Sequence, residues 1–88
     1  MANPSLETLT ADTWTKVATA ITSGSVYIAN TVPKKYLADY RLTGGAAPAD
    51  DDTAINFTAD GVAVFTNDVA IDVYIKPVGA AGAVVVHV

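Results

Sequence analysis

Val69 to Lys76, with the sequence VAIDVYIK, is the stretch that decides the fold. Its odd-numbered positions are all aliphatic, whereas its even-numbered positions carry Ala, Asp, Tyr and Lys. Successive side chains of a pleated strand point to opposite faces, so a period of two separates one apolar face from one mixed face. The stretch therefore predicts a β-strand that packs one face on a core.

Further runs on both sides of this stretch are rich in β-branched and aromatic residues, which fit the pleated surface of a strand. They predict strands over residues 13–21, 26–30, 36–43, 53–58, 62–66 and 83–88. Segments rich in Gly, Pro, Asn, Asp or Ser separate the runs, as Thr22–Ser25 and Asn67-Asp68 do, and none of the runs has helical spacing over the roughly ten positions that a helix needs. The sequence predicts an all-β fold, a single small antiparallel β-sandwich or barrel of about seven strands.

The N-terminal segment differs from these runs. Residues 1–12 show little periodicity beyond Leu6 and Leu9, and Asn3-Pro4 disfavours regular pairing. We expect an extended N-terminal arm over 1–12, followed by a β-sandwich or barrel domain over 13–88. A chain of 88 residues without cysteine has no disulfides to add to a small core, so oligomerisation is the remaining common source of buried area.

Charge and hydropathy argue against several classes of partner. The net charge is −4 with only five Lys and Arg residues, whereas a nucleic-acid surface needs clustered cations. The first residues lack the basic and apolar regions of a secretory signal, and no run reaches the length of a membrane span. We expect neither nucleic acid nor membrane as a partner.

No residue pattern indicates an enzyme, a cofactor or a metal centre. His87 is the only histidine, and no nucleophile motif accompanies it, so we interpret it as an ordinary strand residue. Asp50-Asp51-Asp52 could attract calcium, but its spacing does not match an EF-hand loop, which favours a solvated loop and leaves cation binding open.

Large residues on the second faces of the strands indicate an interaction surface. Trp14, Tyr27 and Tyr74 have the opposite parity to the aliphatic residues of their runs, so they are predicted to face outward. With Leu6 and Leu9 of the arm, they are the candidate interface residues. For Trp14 an alternative remains, namely a core position reached through a β-bulge that shifts the register after it.

Four segments together resemble small virion proteins of tailed bacteriophages, especially head decoration (cement) proteins. They are LTADTWTKV at 9–17, VYIAN at 26–30, DVYIKP at 72–77 and VVVHV at 84–88. The resemblance implies a structural virion protein that assembles in the host cytoplasm, binds the outside of a phage head and stabilises it. It implies the major capsid protein or another virion protein as partner, and a homo-oligomer, often a trimer. The alternative is a fibre or receptor-binding β-module whose aromatic side chains stack on a surface glycan.

Overall fold

The computed structural model describes residues 5–29, 33–58 and 62–88, which form one antiparallel sheet that curls into a half-barrel. The strands are β1 (Ser5–Leu9), β2 (Thr15–Ile28), β3 (Lys35–Leu42), β4 (Ile55–Thr58), β5 (Val62–Pro77) and β6 (Gly82–His87). Their order across the sheet is β1-β6-β2-β5-β3-β4, and each neighbouring pair is antiparallel. No helix occurs in the described ranges. The all-β, antiparallel prediction is confirmed.

The strand count and the sandwich or barrel are not confirmed, because two of the predicted turns are absent. Residues 22–25 lie inside β2 and residues 67–68 lie inside β5, so four predicted strands merge into two long ones. Both strands bend through irregular register instead of ending, and residues 67–70 of β5 lie opposite the single residue Thr22. Bulges of this kind increase twist and bend a strand without ending it. The result is one curled sheet of six strands.

The predicted extended arm is also not confirmed. Residues 5–9 form β1, which pairs with β6 from Ser5 opposite Val86 to Leu9 opposite Gly82. The partner strand explains the difference, because β6 follows β1 by more than seventy residues and its edge is not apparent from the local sequence. Residues 1–4, the end of the predicted second strand at Asn30 and residues 59–61, which separate the predicted strands 53–58 and 62–66, lie outside the described residues.

The core lies on the inner, concave face of the sheet. Alternate residues of β5 supply its centre, with Ile71, Val73 and Ile75 at most 1% exposed. Phe65, also on β5, and side chains from the other strands complete the cluster, among them Leu9, Val26, Tyr36, Phe57, Val84 and Val86. The opposite, convex side of the sheet is called the outer face from here on.

Tyr36 and Gly82 lie in close contact within this core. Tyr36 is fully buried, and its hydroxyl accepts a hydrogen bond from the Ala83 N–H at 3.2 Å. A Cβ atom at position 82 would overlap the Tyr36 hydroxyl and approach its Cζ to 2.7 Å. Glycine is therefore required where β6 passes the Tyr36 ring.

Candidate interaction surface

A row of apolar side chains crosses the outer face of four strands. Leu6 on β1 lies opposite Val85 on β6, Val85 lies opposite Tyr27 on β2, and Tyr27 lies opposite Val62 on β5. Leu6, Tyr27 and Val62 are 63%, 38% and 55% exposed, and Val85 is half-buried. Directly opposed side chains on one sheet face lie in contact range, so these residues form a continuous surface.

The neighbouring row extends this surface. His87, Ser25 and Val64 are paired across β6, β2 and β5, and Val64 is 72% exposed. The His87 ring stacks on Tyr27 with ring centroids 5.5 Å apart. Neither row contains a charged residue. We call Leu6, Tyr27, Val62, Val64 and Val85 the outer patch.

The predicted interface residues divide between this surface and the interior. Leu6 and Tyr27 belong to the outer patch, whereas Leu9 and Tyr74 are each only 4% exposed. Leu9 joins the inner core, while Tyr74 lies on the outer face between Lys16 and Asp39 of the adjacent strands.

Trp14 is half-buried, with the Lys76 ammonium 5.9 Å from its ring centroid. Its indole N–H is buried and has no hydrogen-bond acceptor among the described residues. A β-bulge does follow it, between Lys16 and Ala18, as the alternative interpretation of Trp14 supposed. The tryptophan itself lies at the margin of the sheet and is absent from the inner core cluster.

Val62, Val64 and Val85 were missed from sequence. The even-numbered parity of Val62 and Val64 matches that of Tyr74, so a continuous β5 would have assigned them to the outer face. A turn predicted at residues 67–68 separates these valines from Tyr74, so the sequence does not indicate that they share a strand face.

No protein-family model, curated protein or solved structure matches this chain. The role of the outer patch is therefore inferred from contacts, burial and charge. Two polar networks, centred on Asp72 and Asp39, also lie on the outer face.

The first network is centred on Asp72, which is 2% exposed. Its Oδ1 accepts hydrogen bonds from the Ala20 N–H and the Thr43 hydroxyl, each at 2.9 Å, and its Oδ2 lies 3.3 Å from the Lys16 ammonium. The Ala20 N–H, helped by Thr43 and Lys16, lowers the pKa of Asp72 below its ordinary value and outweighs burial, which acts to raise it. Asp72 thus ties together β2, β5 and the end of β3.

The second network is centred on Asp39, which is 3% exposed. Its Oδ2 accepts a 2.6 Å hydrogen bond from the Thr53 hydroxyl and lies 3.0 Å from Arg41 Nη1, and its Oδ1 accepts the Tyr40 N–H at 2.7 Å. A shallow cavity of about 390 Å³ opens here, lined by residues 39–42 and Thr53. Each oxygen of this buried carboxyl group therefore contacts at least one internal donor, as buried polar groups generally do.

The loop that contains Asp50, Asp51 and Asp52 also makes internal contacts. Asp51 Oδ1 lies 2.9 Å from the Lys76 ammonium, and Asp50 Oδ1 accepts the Asp52 N–H at 3.1 Å. Within the described ranges, no group of three His, Cys, Asp or Glu side chains is placed to hold a metal ion. Those ranges also contain no helix of sufficient length and hydropathy to cross a membrane.

Proposed function

We propose that the chain is a structural virion protein, a capsid decoration or cement subunit that attaches to the outside of a phage head and stabilises it. The observation that carries the proposal is the outer patch, an exposed apolar surface that crosses four strands without a charged residue. Contiguous apolar surface of this kind marks protein contact sites. The sequence resemblance to head decoration proteins supplies the class of partner, the major capsid protein or another virion protein.

The composition of the patch suits attachment to protein. Protein interfaces are depleted in charge at their centre and enriched in aromatic side chains, and Tyr27 lies near the middle of the row. A chain with a net charge of −4 can dock this neutral surface without bringing its own acids into the contact. Many copies on one lattice gain avidity, so a modest patch per copy suffices.

The buried carboxylates support a mechanical rather than a catalytic role. Asp39 and Asp72 are bonded to internal donors on both oxygens. In these positions they link neighbouring strands to one another and to the segments that follow them.

Co-sedimentation of the purified chain with isolated phage heads tests this function. Wild-type chain should bind saturably, and Val64→Lys should weaken binding at least about tenfold because it places an ammonium in the apolar contact. Val69→Lys is the matched control, since Val69 is 56% exposed on the same strand but lies outside both rows of the patch. Equal binding by all three chains, or no binding by the wild type, would contradict the proposal.

A glycan-binding module of a fibre or receptor-binding protein is the second candidate. It is favoured by Tyr40, which is 46% exposed beside the cavity that Asp39 and Arg41 line. An exposed ring next to hydrogen-bonding groups is a suitable platform for a sugar. Saturable binding to one glycan on an array, lost in Tyr40→Ala and retained in Val64→Lys, would select this function over decoration.

A further inference from the structure

One end of the sheet has an edge that its outermost strand leaves uncovered. β4 pairs with β3 only from Lys35 to Ala38, whereas β3 continues to Leu42. At the two ends of β3, the Val78 N–H donates to Lys35 O and the Thr43 N–H donates to Ala70 O. Odd-numbered residues along β3 therefore direct their backbone groups toward β5. In an antiparallel ladder the intervening residues direct their backbone groups the other way. Tyr40 and Leu42 therefore face the uncovered edge.

Side chains, not a strand, satisfy the Tyr40 backbone at this edge. Its N–H donates to Asp39 Oδ1 at 2.7 Å, and its carbonyl accepts from Arg41 Nη1 at 2.9 Å. Both bonds are to groups that a neighbouring strand could replace. The cavity at this edge is also lined by Thr53, whose hydroxyl lies 3.4 Å from Arg41 Nη1, so a strand that enters here displaces the Thr53 side chain.

The opposite end of the sheet presents a matching edge on β1. The bond from Ala29 N–H to Ala83 O shows that odd-numbered residues of β6 face β2, so its even-numbered residues face β1. Glu7 is paired with Val84 and is thus turned toward β6, whereas Leu6 and Thr8 direct their backbone groups outward.

The two edges are complementary in backbone, side chain and charge. An antiparallel alignment of the two edges gives three facing pairs: Leu6 with Leu42, Glu7 with Arg41, and Thr8 with Tyr40. The first and third pairs are those whose backbone groups face the open edges. Leu6 and Leu42, which are 63% and 59% exposed, would cover one another on one face, while Glu7 would meet the Arg41 guanidinium on the other.

We propose that copies of this chain associate edge to edge, with β1 of one copy pairing along residues 39–42 of the next. Backbone groups of the entering strand replace Asp39 Oδ1 and Arg41 Nη1 as the hydrogen-bond partners of the Tyr40 N–H and carbonyl. The Arg41 guanidinium then contacts Glu7 and keeps its contact with Asp39. The contact is heterologous, so it generates a closed ring or an open filament. It goes beyond attachment to a phage head, because it names the contact between copies. The two contacts share Leu6 of the outer patch, but the contact between copies does not use Val62 or Val64.

Sedimentation velocity of the full chain, from micromolar to millimolar concentration, tests this contact. The wild type should associate, and Glu7→Lys and Leu42→Lys should each weaken association at least about tenfold, the first by opposing two cations and the second by charging an apolar contact. Circular dichroism establishes that each variant is folded. Because Glu7 and Leu42 lie on different strands, the test does not depend on one variant folding correctly.

Val64→Lys separates this proposal from head attachment. We expect Val64→Lys to self-associate like the wild type although it binds heads poorly. We expect Leu42→Lys to self-associate poorly although it binds heads like the wild type. A wild type that stays monomeric throughout, or folded Glu7→Lys and Leu42→Lys chains that associate as strongly as the wild type, would overturn edge-to-edge pairing. Loss of self-association in Val64→Lys alone would overturn it as well, by assigning the contact to the outer patch.

Discussion

The backbone N–H of Ala20 on β2 donates to the buried carboxylate of Asp72 on β5 at 2.9 Å. Ala20 has a left-handed backbone, with φ of 54°, in the irregular part of the β2–β5 register. The same carboxylate oxygen holds the Thr43 hydroxyl after β3. One buried acid therefore links the irregular part of β2 to β5 and to the end of β3.

This contact predicts an acid-sensitive fold. Because the native pKa of Asp72 is lowered, its contribution to stability is complete above the ordinary value of 3.8 and is lost as pH falls through the native pKa. Urea midpoints measured between about pH 5 and pH 2 should therefore fall more steeply for the wild type than for Asp72→Asn. Asp68→Asn controls for the removal of one negative charge from the same strand. A wild-type and an Asp72→Asn profile of equal slope would remove this explanation.

Ala20→Gly should stabilise the protein. A left-handed conformation costs a non-glycine residue roughly 1–2 kcal/mol. The greater freedom of glycine in the unfolded chain offsets about half of that gain, which leaves a net increase of up to about 1 kcal/mol in the free energy of unfolding. Ala29→Gly is the control, because Ala29 is exposed without a positive φ and should lose about 0.5–1 kcal/mol. Urea denaturation measures both, and destabilisation by Ala20→Gly would be the contrary result.

Gly82→Ala should destabilise the core because the new methyl group overlaps the Tyr36 hydroxyl. Overpacking of this kind costs about 1–3 kcal/mol. Combining it with Tyr36→Phe removes the nearest clashing atom, so the double variant should lose less stability than the sum of the single variants. Additivity within about 0.5 kcal/mol in the double-mutant cycle would show that the two positions do not interact.

Two tyrosines of the outer face should respond differently to truncation. Tyr74 is buried, so Tyr74→Ala should cost about 3–5 kcal/mol, as large aromatic truncations in a core do. Tyr27→Ala removes a part-exposed ring and its stack on His87, which is worth about 0.5–1.5 kcal/mol. Urea denaturation of the two variants checks this order. Equal losses would mean that the outer patch is part of the core.

The strand pattern was predictable where alternation is local and strong. Within VAIDVYIK the odd-numbered Ile71, Val73 and Ile75 form the core centre, as the period of two indicates. The same pattern did not reveal that Asp72 and Tyr74, on the mixed face, are also buried. Their cover comes from neighbouring strands, since Tyr74 lies between Lys16 and Asp39.

Two segments with the composition of turns lie within long strands, so the predicted strand count differs from the observed one. The composition of residues 22–25 predicts that Gly24 belongs to a turn, yet it lies within β2, where a Cβ atom would approach the His87 carbonyl oxygen to 2.9 Å. Glycine there permits a close approach of backbones and does not reverse the chain. Leu6 and Leu9 have opposite parity, so β1 has no alternation to reveal it, and only its pairing with β6 makes it a strand.

Thermal release of DNA from phage heads, with and without bound chain, tests the decoration function most directly. Heads saturated with the wild-type chain should retain their DNA at temperatures at which undecorated heads release it. Heads mixed with Val64→Lys should behave as undecorated heads, and those with Val69→Lys should behave as wild type. Release at the same temperature from undecorated heads and from heads saturated with wild-type chain would contradict a stabilising role.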